Sequence, residues 1–166
     1  MNGYRKKERC PSNLGDFRVA LGDVETLREG SDLTLLSYGS TLHLCEEACV
    51  RLSDLGVEVE LLDAQTLLPF DMDGKAANSV AKTHRLLVVD EDVPGGASAY
   101  LLDDVLNRQG AWNHLDGQAK TLTAKPHLPA YGSDGDYFSK PSVDDIVESA
   151  YNMLREVDPR SYPSLR

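Results

Sequence analysis

The 166-residue chain lacks several things, and each absence excludes something. No apolar run approaches the ~18–20 residues that cross a bilayer, so no membrane partner is expected. The basic start MNGYRKKERC leads into no apolar segment, which argues against a secretory signal. Positive charge is scarce: 17 Lys and Arg stand against 27 Asp and Glu, a net charge of -10. Nucleic-acid binding needs a basic face, so it is not expected here. A basic protein partner is compatible with this charge, although solubility alone also accounts for it. Only Cys10, Cys45 and Cys49 carry thiols, too few and too odd in number for a disulfide scaffold. Cys45 and Cys49 are four apart and would share a helix face as buried, reduced thiols of a cytoplasmic protein. The four histidines (His43, His84, His114 and His127) are scattered, and none pairs at metal-ligand spacing. Neither G-x-G-x-x-G, G-x-x-x-x-G-K-[ST] nor G-x-S-x-G occurs. No catalytic, cofactor-binding or metal-binding residue is therefore assigned.

What is present is alternation of strand and helix. Residues 1–23 read as a polar tail or linker with Pro11, Gly15 and Gly22, and 24–28 reads as a short strand. Residues 33–37 form an apolar strand ending at Gly39. Leu42, Cys45, Ala48, Cys49, Leu52 and Leu55 then keep helical spacing, with Gly56 at the C-cap position. Val57, Val59 and Leu61 alternate with Glu58 and Glu60, a strand with one face less buried. A helix is expected over 71–83. Residues 86–89 are wholly apolar, the pattern of a strand buried on both faces. A helix follows over 97–109, then a strand over 121–124. Ser142 and Asp145 form a capping pattern for a last helix, and 159–166 is a tail. Strand starts recur every ~30 residues, the length of a βαβ unit. This implies an α/β domain over 24–158 with a mostly parallel sheet and helices on both faces. The long 125–141 stretch, KPHLPAYGSDGDYFSKP, is of a kind that is often functional.

The second helical crossover returns the chain to the other side of the first strand. That sets strands 33–37 and 86–89 side by side, at a switch point where open α/β sheets bind ligands. Its rims would carry Gly39, Ser40 and Thr41 on one side, and Asp90, Glu91, Gly95 and Gly96 on the other. Helix N-termini attract anions, but the acids oppose that attraction. The plainer reading makes Ser40 or Thr41 a helix cap and Gly95 with Gly96 a place of close backbone packing. The pairs Asp103 with Asp104, and Asp144 with Asp145, read as solvated helix surface. Asp134-Gly135-Asp136 reads as a turn, and Trp112 as a packing anchor.

REGSDLTLLSYGS at 28–40, LLDAQTLLPFD at 61–71, KTHRLLVVDED at 82–92, the helix opened by Gly95 and Gly96, and PSVDDIVESA at 141–150 follow one another in order. Together they resemble the C-terminal, transketolase-like domain of the beta subunit of the decarboxylating component of 2-oxo acid dehydrogenase complexes. Tyr4 and Arg5 resemble the segment leaving the preceding domain of that family. The resemblance covers roughly 24–155. It implies a three-layer α/β/α fold with a five-stranded, mostly parallel sheet and 24–28 as an antiparallel edge strand. It implies a full-length enzyme that decarboxylates a 2-oxo acid on thiamine diphosphate with magnesium and passes the acyl group to a lipoyl arm. In such enzymes the cofactor lies on the preceding domains, so none is expected on this chain.

Three departures from the family pattern stand out. Only Asp92, Val93 and Pro94 separate Glu91 from the glycine pair, one residue fewer than usual. Tyr100 replaces a common Glu, whose role is therefore not carried over. The 125–138 loop looks like that of fused alpha-beta chains, which leans toward branched-chain 2-oxo acids over pyruvate. The expected role is assembly: contacts with other domains or subunits of the dehydrogenase, a homodimer mate and the dihydrolipoyl acyltransferase core, with Tyr131, Asp134, Tyr137 and Phe138 as interface candidates. Local packing under the loop is the competing account of those aromatics. The alternative function is a stand-alone module binding an anion or nucleotide in the crevice.

Overall fold

The computed structural model describes residues 10, 12–128, 131 and 135–164. Five strands, β1 (Glu25–Arg28), β2 (Leu33–Ser37), β3 (Val59–Asp63), β4 (Leu86–Val89) and β5 (Lys120–Leu122), form one sheet in the order β1-β3-β2-β4-β5. All neighbours pair in parallel except β1, which runs antiparallel to β3. The expected mixed α/β sheet, with its antiparallel edge strand, is what forms. β2 lies at the centre, and every one of its residues is buried.

Strand side chains alternate between faces, and the two cores divide accordingly. Leu33, Leu35, Val59, Leu61, Leu87 and Val89 face helices α1 (Thr41–Asp54) and α5 (Val143–Val157), where Cys45, Ala48, Cys49, Leu52, Ile146 and Leu154 complete the layer. Leu36, Leu62, Leu86 and Val88 face α2 (Lys75–Thr83) and α3 (Ala97–Asp103), packing with Ala76, Val80 and Leu101. On that second face Thr34 bonds Ser79 at 2.6 Å and Thr83 at 2.7 Å, so a buried hydroxyl is satisfied among hydroxyls. The capping box at α5 forms as expected, Ser142 Oγ accepting from the Asp145 N–H and the Asp145 carboxylate from the Ser142 N–H.

Several expectations give way. The helix expected from residue 71 starts at Lys75, because Asp71 holds a positive φ of 41° and caps instead of entering. Its carboxylate accepts the N–H groups of Lys75 and Ala76, both at 2.8 Å. The helix expected to run to 109 ends as α at Asp103 and continues as a wider π-type turn over Asp104–Arg108. Asp104 is not solvated surface: it is 5% exposed, pairs with Arg108 and accepts Gln109 Nε2 at 2.8 Å. Glu60 likewise is only 5% exposed, since β1 and α2 cover β3. Burial alone would raise its pKa, but hydrogen bonds from Lys82, Ser79 and the Gly30 N–H outweigh it and hold the carboxyl below the ordinary value.

Trp112, on a short 3-10 helix (Ala111–His114), is 65% exposed and anchors no core. The last strand covers Lys120–Leu122 rather than 121–124. The long loop contains a helical turn, α4 (Gly135–Ser139). Cys45 and Cys49 are both buried and unbridged. Tyr162, beyond α5, packs edge-on against Tyr151 at 5.8 Å. Tyr4, Arg5 and Asp134 lie outside the described residues.

Candidate functional site

The carboxyl ends of β2 and β4 do lie side by side, tied by Ser37 Oγ donating to the Val89 carbonyl at 2.9 Å. The chain then leaves in two directions. After β2 it turns through Tyr38, Gly39 and Ser40 into α1, with Gly39 at φ 61°, a conformation that glycine adopts without strain. After β4 it passes Asp90, Glu91 and Asp92 and reaches α3 through Gly95 and Gly96. A Cβ on Gly96 would sit 2.6 Å from Asp92 Oδ2, so the Asp92 carboxylate would have to move to admit a side chain there.

The crevice residues hold one another. Asp90, 1% exposed, accepts three hydrogen bonds: Tyr38 Oη at 2.7 Å, the Asp92 N–H at 3.0 Å and the Ser98 N–H at 3.0 Å. It joins the two rims and caps α3. Burial, and then the bond to Asp90, push the Tyr38 phenol well above its ordinary pKa. Glu91 accepts from Ser40 Oγ at 3.1 Å and from Lys140 Nζ at 3.0 Å. Ser40 sits at the N-cap position of α1 but makes no side-chain cap bond there, its hydroxyl being turned to Glu91 instead. Thr41 is buried in the first turn.

Of the residues expected at the rims, Ser40 is thus brought to Glu91, and Asp90 reaches Tyr38 beside Gly39; among the described residues, Thr41, Gly95 and Gly96 make no side-chain hydrogen bond across the rims. Sequence reasoning missed Tyr38 and Lys140. The first lies beside a residue it did consider, and the second arrives from 49 positions away with no local pattern to mark it.

This donor set does not fit a diphosphate. Asp90 is buried and already engaged by three donors, Glu91 sets a negative charge between the rims, and the ammonium that reaches them is held by Glu91. Among the described residues, no three His, Cys, Asp or Glu side chains are grouped so as to hold a metal ion. Nor is any helix among them long and apolar enough to cross a membrane.

A second cluster lies on and around α4. Tyr131 is fully exposed, Tyr137 is 67% exposed and Phe138 is 61% exposed. Tyr137 Oη reaches Asp144 Oδ2 at 3.3 Å. The Phe138 ring lies 3.9 Å below Lys125 Nζ and 5.8 Å from the His127 ring. These contacts hold the rings in place while leaving much of their area in water.

A family model for the C-terminal domain of transketolase matches residues 22–142. The chain belongs to that family. Its members most similar in sequence include the beta subunit of an acetoin:2,6-dichlorophenolindophenol oxidoreductase of Bacillus subtilis (strain 168), 33% identical over 92% of this chain. A 2-oxoisovalerate dehydrogenase subunit beta 2 of Arabidopsis thaliana is 38% identical over 56% of it, and a pyruvate dehydrogenase E1 component subunit beta of Mesostigma viride is 28% identical over 91%. The chain spans 44%, 26% and 45% of those three relatives, respectively. Among solved structures, a split-gene transketolase, described as an inactive beta4 tetramer, superposes with a TM-score of 0.67 at 19% identity. That alignment covers 86% of this chain and 44% of the other. At that identity the likeness supports the fold.

Proposed function

We propose that this transketolase C-terminal domain is the assembly domain of a thiamine-diphosphate-dependent 2-oxo acid dehydrogenase, silent in catalysis by itself. The observation that carries the reading is the surface of Tyr131, Tyr137 and Phe138: three aromatic rings facing water beside a long loop, of the residue type that dominates interface energetics. The relatives support it, since each is named as the beta subunit of an oxidoreductase or dehydrogenase. The full-length enzyme would decarboxylate a branched-chain 2-oxo acid in preference to pyruvate, with thiamine diphosphate and magnesium held outside this chain. Its partners would be the other domains or subunits of the dehydrogenase, a homodimer mate and a dihydrolipoyl acyltransferase core, and a cytoplasmic location goes with this reading.

The anion or nucleotide module is the weaker reading, because Glu91 occupies the position an anion would need and holds its Lys140 counter-charge. The test is decarboxylation of 2-oxoisovalerate and pyruvate with thiamine diphosphate and magnesium, by this chain alone and by a longer chain carrying the preceding domains. Activity confined to the longer chain, faster on 2-oxoisovalerate, is expected. Turnover by this chain alone refutes the assembly reading, and faster turnover of pyruvate refutes the substrate preference. Replacing Tyr137 and Phe138 together with Ala should leave folding intact and weaken subunit association by about tenfold or more.

A further inference from the structure

The sheet has two edges, and they differ. β1 carries a register irregularity between Thr26 and Arg28, which breaks its edge. β5 is regular, and among the described residues no strand lies beyond it. The Leu122 carbonyl accepts from the Asp90 N–H, so that residue's peptide groups face β4. Alternation along a strand then turns the N–H and C=O of Thr121 to the free side, and Thr121 is indeed exposed.

Beside this edge runs a groove of about 520 Å³, lined by Lys120 of β5, Ser149, Asn152, Arg155 and Glu156 of α5, and Pro159. Lys120 donates to both oxygens of Glu156, at 2.7 and 2.8 Å, so the groove's one carboxylate is neutralised within it. Arg155 makes no hydrogen bond or ion pair with any described residue. On a protein of net charge -10, this groove keeps an unmatched guanidinium next to an open strand edge.

We propose that the groove between β5 and α5 binds an extended, acidic segment of a partner polypeptide, which adds to β5 as a sixth strand. Its backbone pairs with Thr121, and one carboxylate meets Arg155, whose planar fork suits that group. The polar lining, with two hydroxyl- or amide-bearing side chains, suits a peptide better than an apolar small molecule. A second copy of this chain fits poorly, because two-fold pairing along β5 would bring Lys120 and Arg155 toward their own equivalents. The surface shares no residue with the aromatic cluster at α4, so this proposal and the assembly reading can each fail alone.

The test uses the 166-residue chain and a fluorescein-labelled, acetylated hexapeptide, Glu-Thr-Val-Glu-Thr-Val, followed by anisotropy. Saturable binding is expected, with amide NMR shifts centred on Thr121. Arg155→Glu lies on the exposed side of α5 and removes no bond, so it should leave folding unchanged and weaken binding by about tenfold or more. A peptide with alternate amides N-methylated should lose binding on the intact protein, since it cannot pair as a strand. No saturation up to roughly 1 mM, affinity indifferent to both changes, or a dimer in which the β5 amides are already protected would each overturn the proposal.

Discussion

Removing the Asp90 carboxylate should unfasten the crevice and destabilise the whole domain, although it removes no apolar contact. Three donors converge on this group: the Tyr38 hydroxyl at 2.7 Å, and the N–H groups of Asp92 and Ser98 at 3.0 Å each. A buried donor stranded by loss of its partner costs about 1–3 kcal/mol. The Ser98 N–H is buried, while the Tyr38 hydroxyl and the Asp92 N–H are only partly so. We therefore expect Asp90→Ala to cost about 3 kcal/mol rather than the sum of three full penalties. For a domain of this length, that lowers Tm by about 6–12 °C. Asp90→Asn keeps an acceptor and should cost about half as much. Urea unfolding followed by circular dichroism gives both values.

A second readout isolates the bond itself. Tyr38 ionises at abnormally high pH because it is buried and because Asp90 lies on its hydroxyl. In Asp90→Ala its ionisation should move down, toward the ordinary tyrosine value, visible as tyrosinate absorbance gained at lower pH than in the parent. Refutation would be an Asp90→Ala variant within about 0.5 kcal/mol of the parent, with an unchanged tyrosinate titration.

Three other outcomes follow from the cores. Glu60→Gln should cost about 1–3 kcal/mol at neutral pH. The folded-state pKa of Glu60 lies below its ordinary 4.5, so its contribution is present above that value and fades as pH falls through the folded-state pKa. The stability gap between parent and variant should therefore close on acidification. Thr34→Val keeps the shape of the side chain but breaks its bonds to Ser79 and Thr83, and should cost about 1–2 kcal/mol in urea unfolding. Burial pushes the thiols of Cys45 and Cys49 up to about 12 and about 11. A thiol reagent at pH 8 should thus titrate Cys10 alone in the native chain, and all three thiols after unfolding.

Much of the scaffold was legible before any coordinate. The order β2, α1, β3, α2, β4, α3 follows from local periodicity, because a buried strand needs an apolar run and a half-buried helix needs a 3.6-residue stripe. The placement of β4 beside β2 followed from the handedness of the crossovers. The Ser142 cap was readable because a capping box spans only four residues.

What the sequence did not disclose involves charge and distance. Glu60 looks like a surface residue in any local window, and its charge partner Lys82 comes from 22 positions away. Asp104 has its partner Arg108 one helical turn on, but its burial depends on the packing of other elements. Trp112 looks like an anchor until the neighbouring elements pack without covering it.

The chain by itself determined which segments become strands and helices, and that the rims of the β2/β4 crevice carry glycines and acids. These are properties of nearest neighbours and of backbone freedom, and a linear pattern contains them. Only the tertiary structure decided that Glu91 closes on Ser40 and Lys140, that Asp90 bridges two loops 52 positions apart, and that Arg155 stands beside the free edge of β5 with no partner among the described residues. Such pairings depend on where side chains end in space, and alternation and spacing do not encode that.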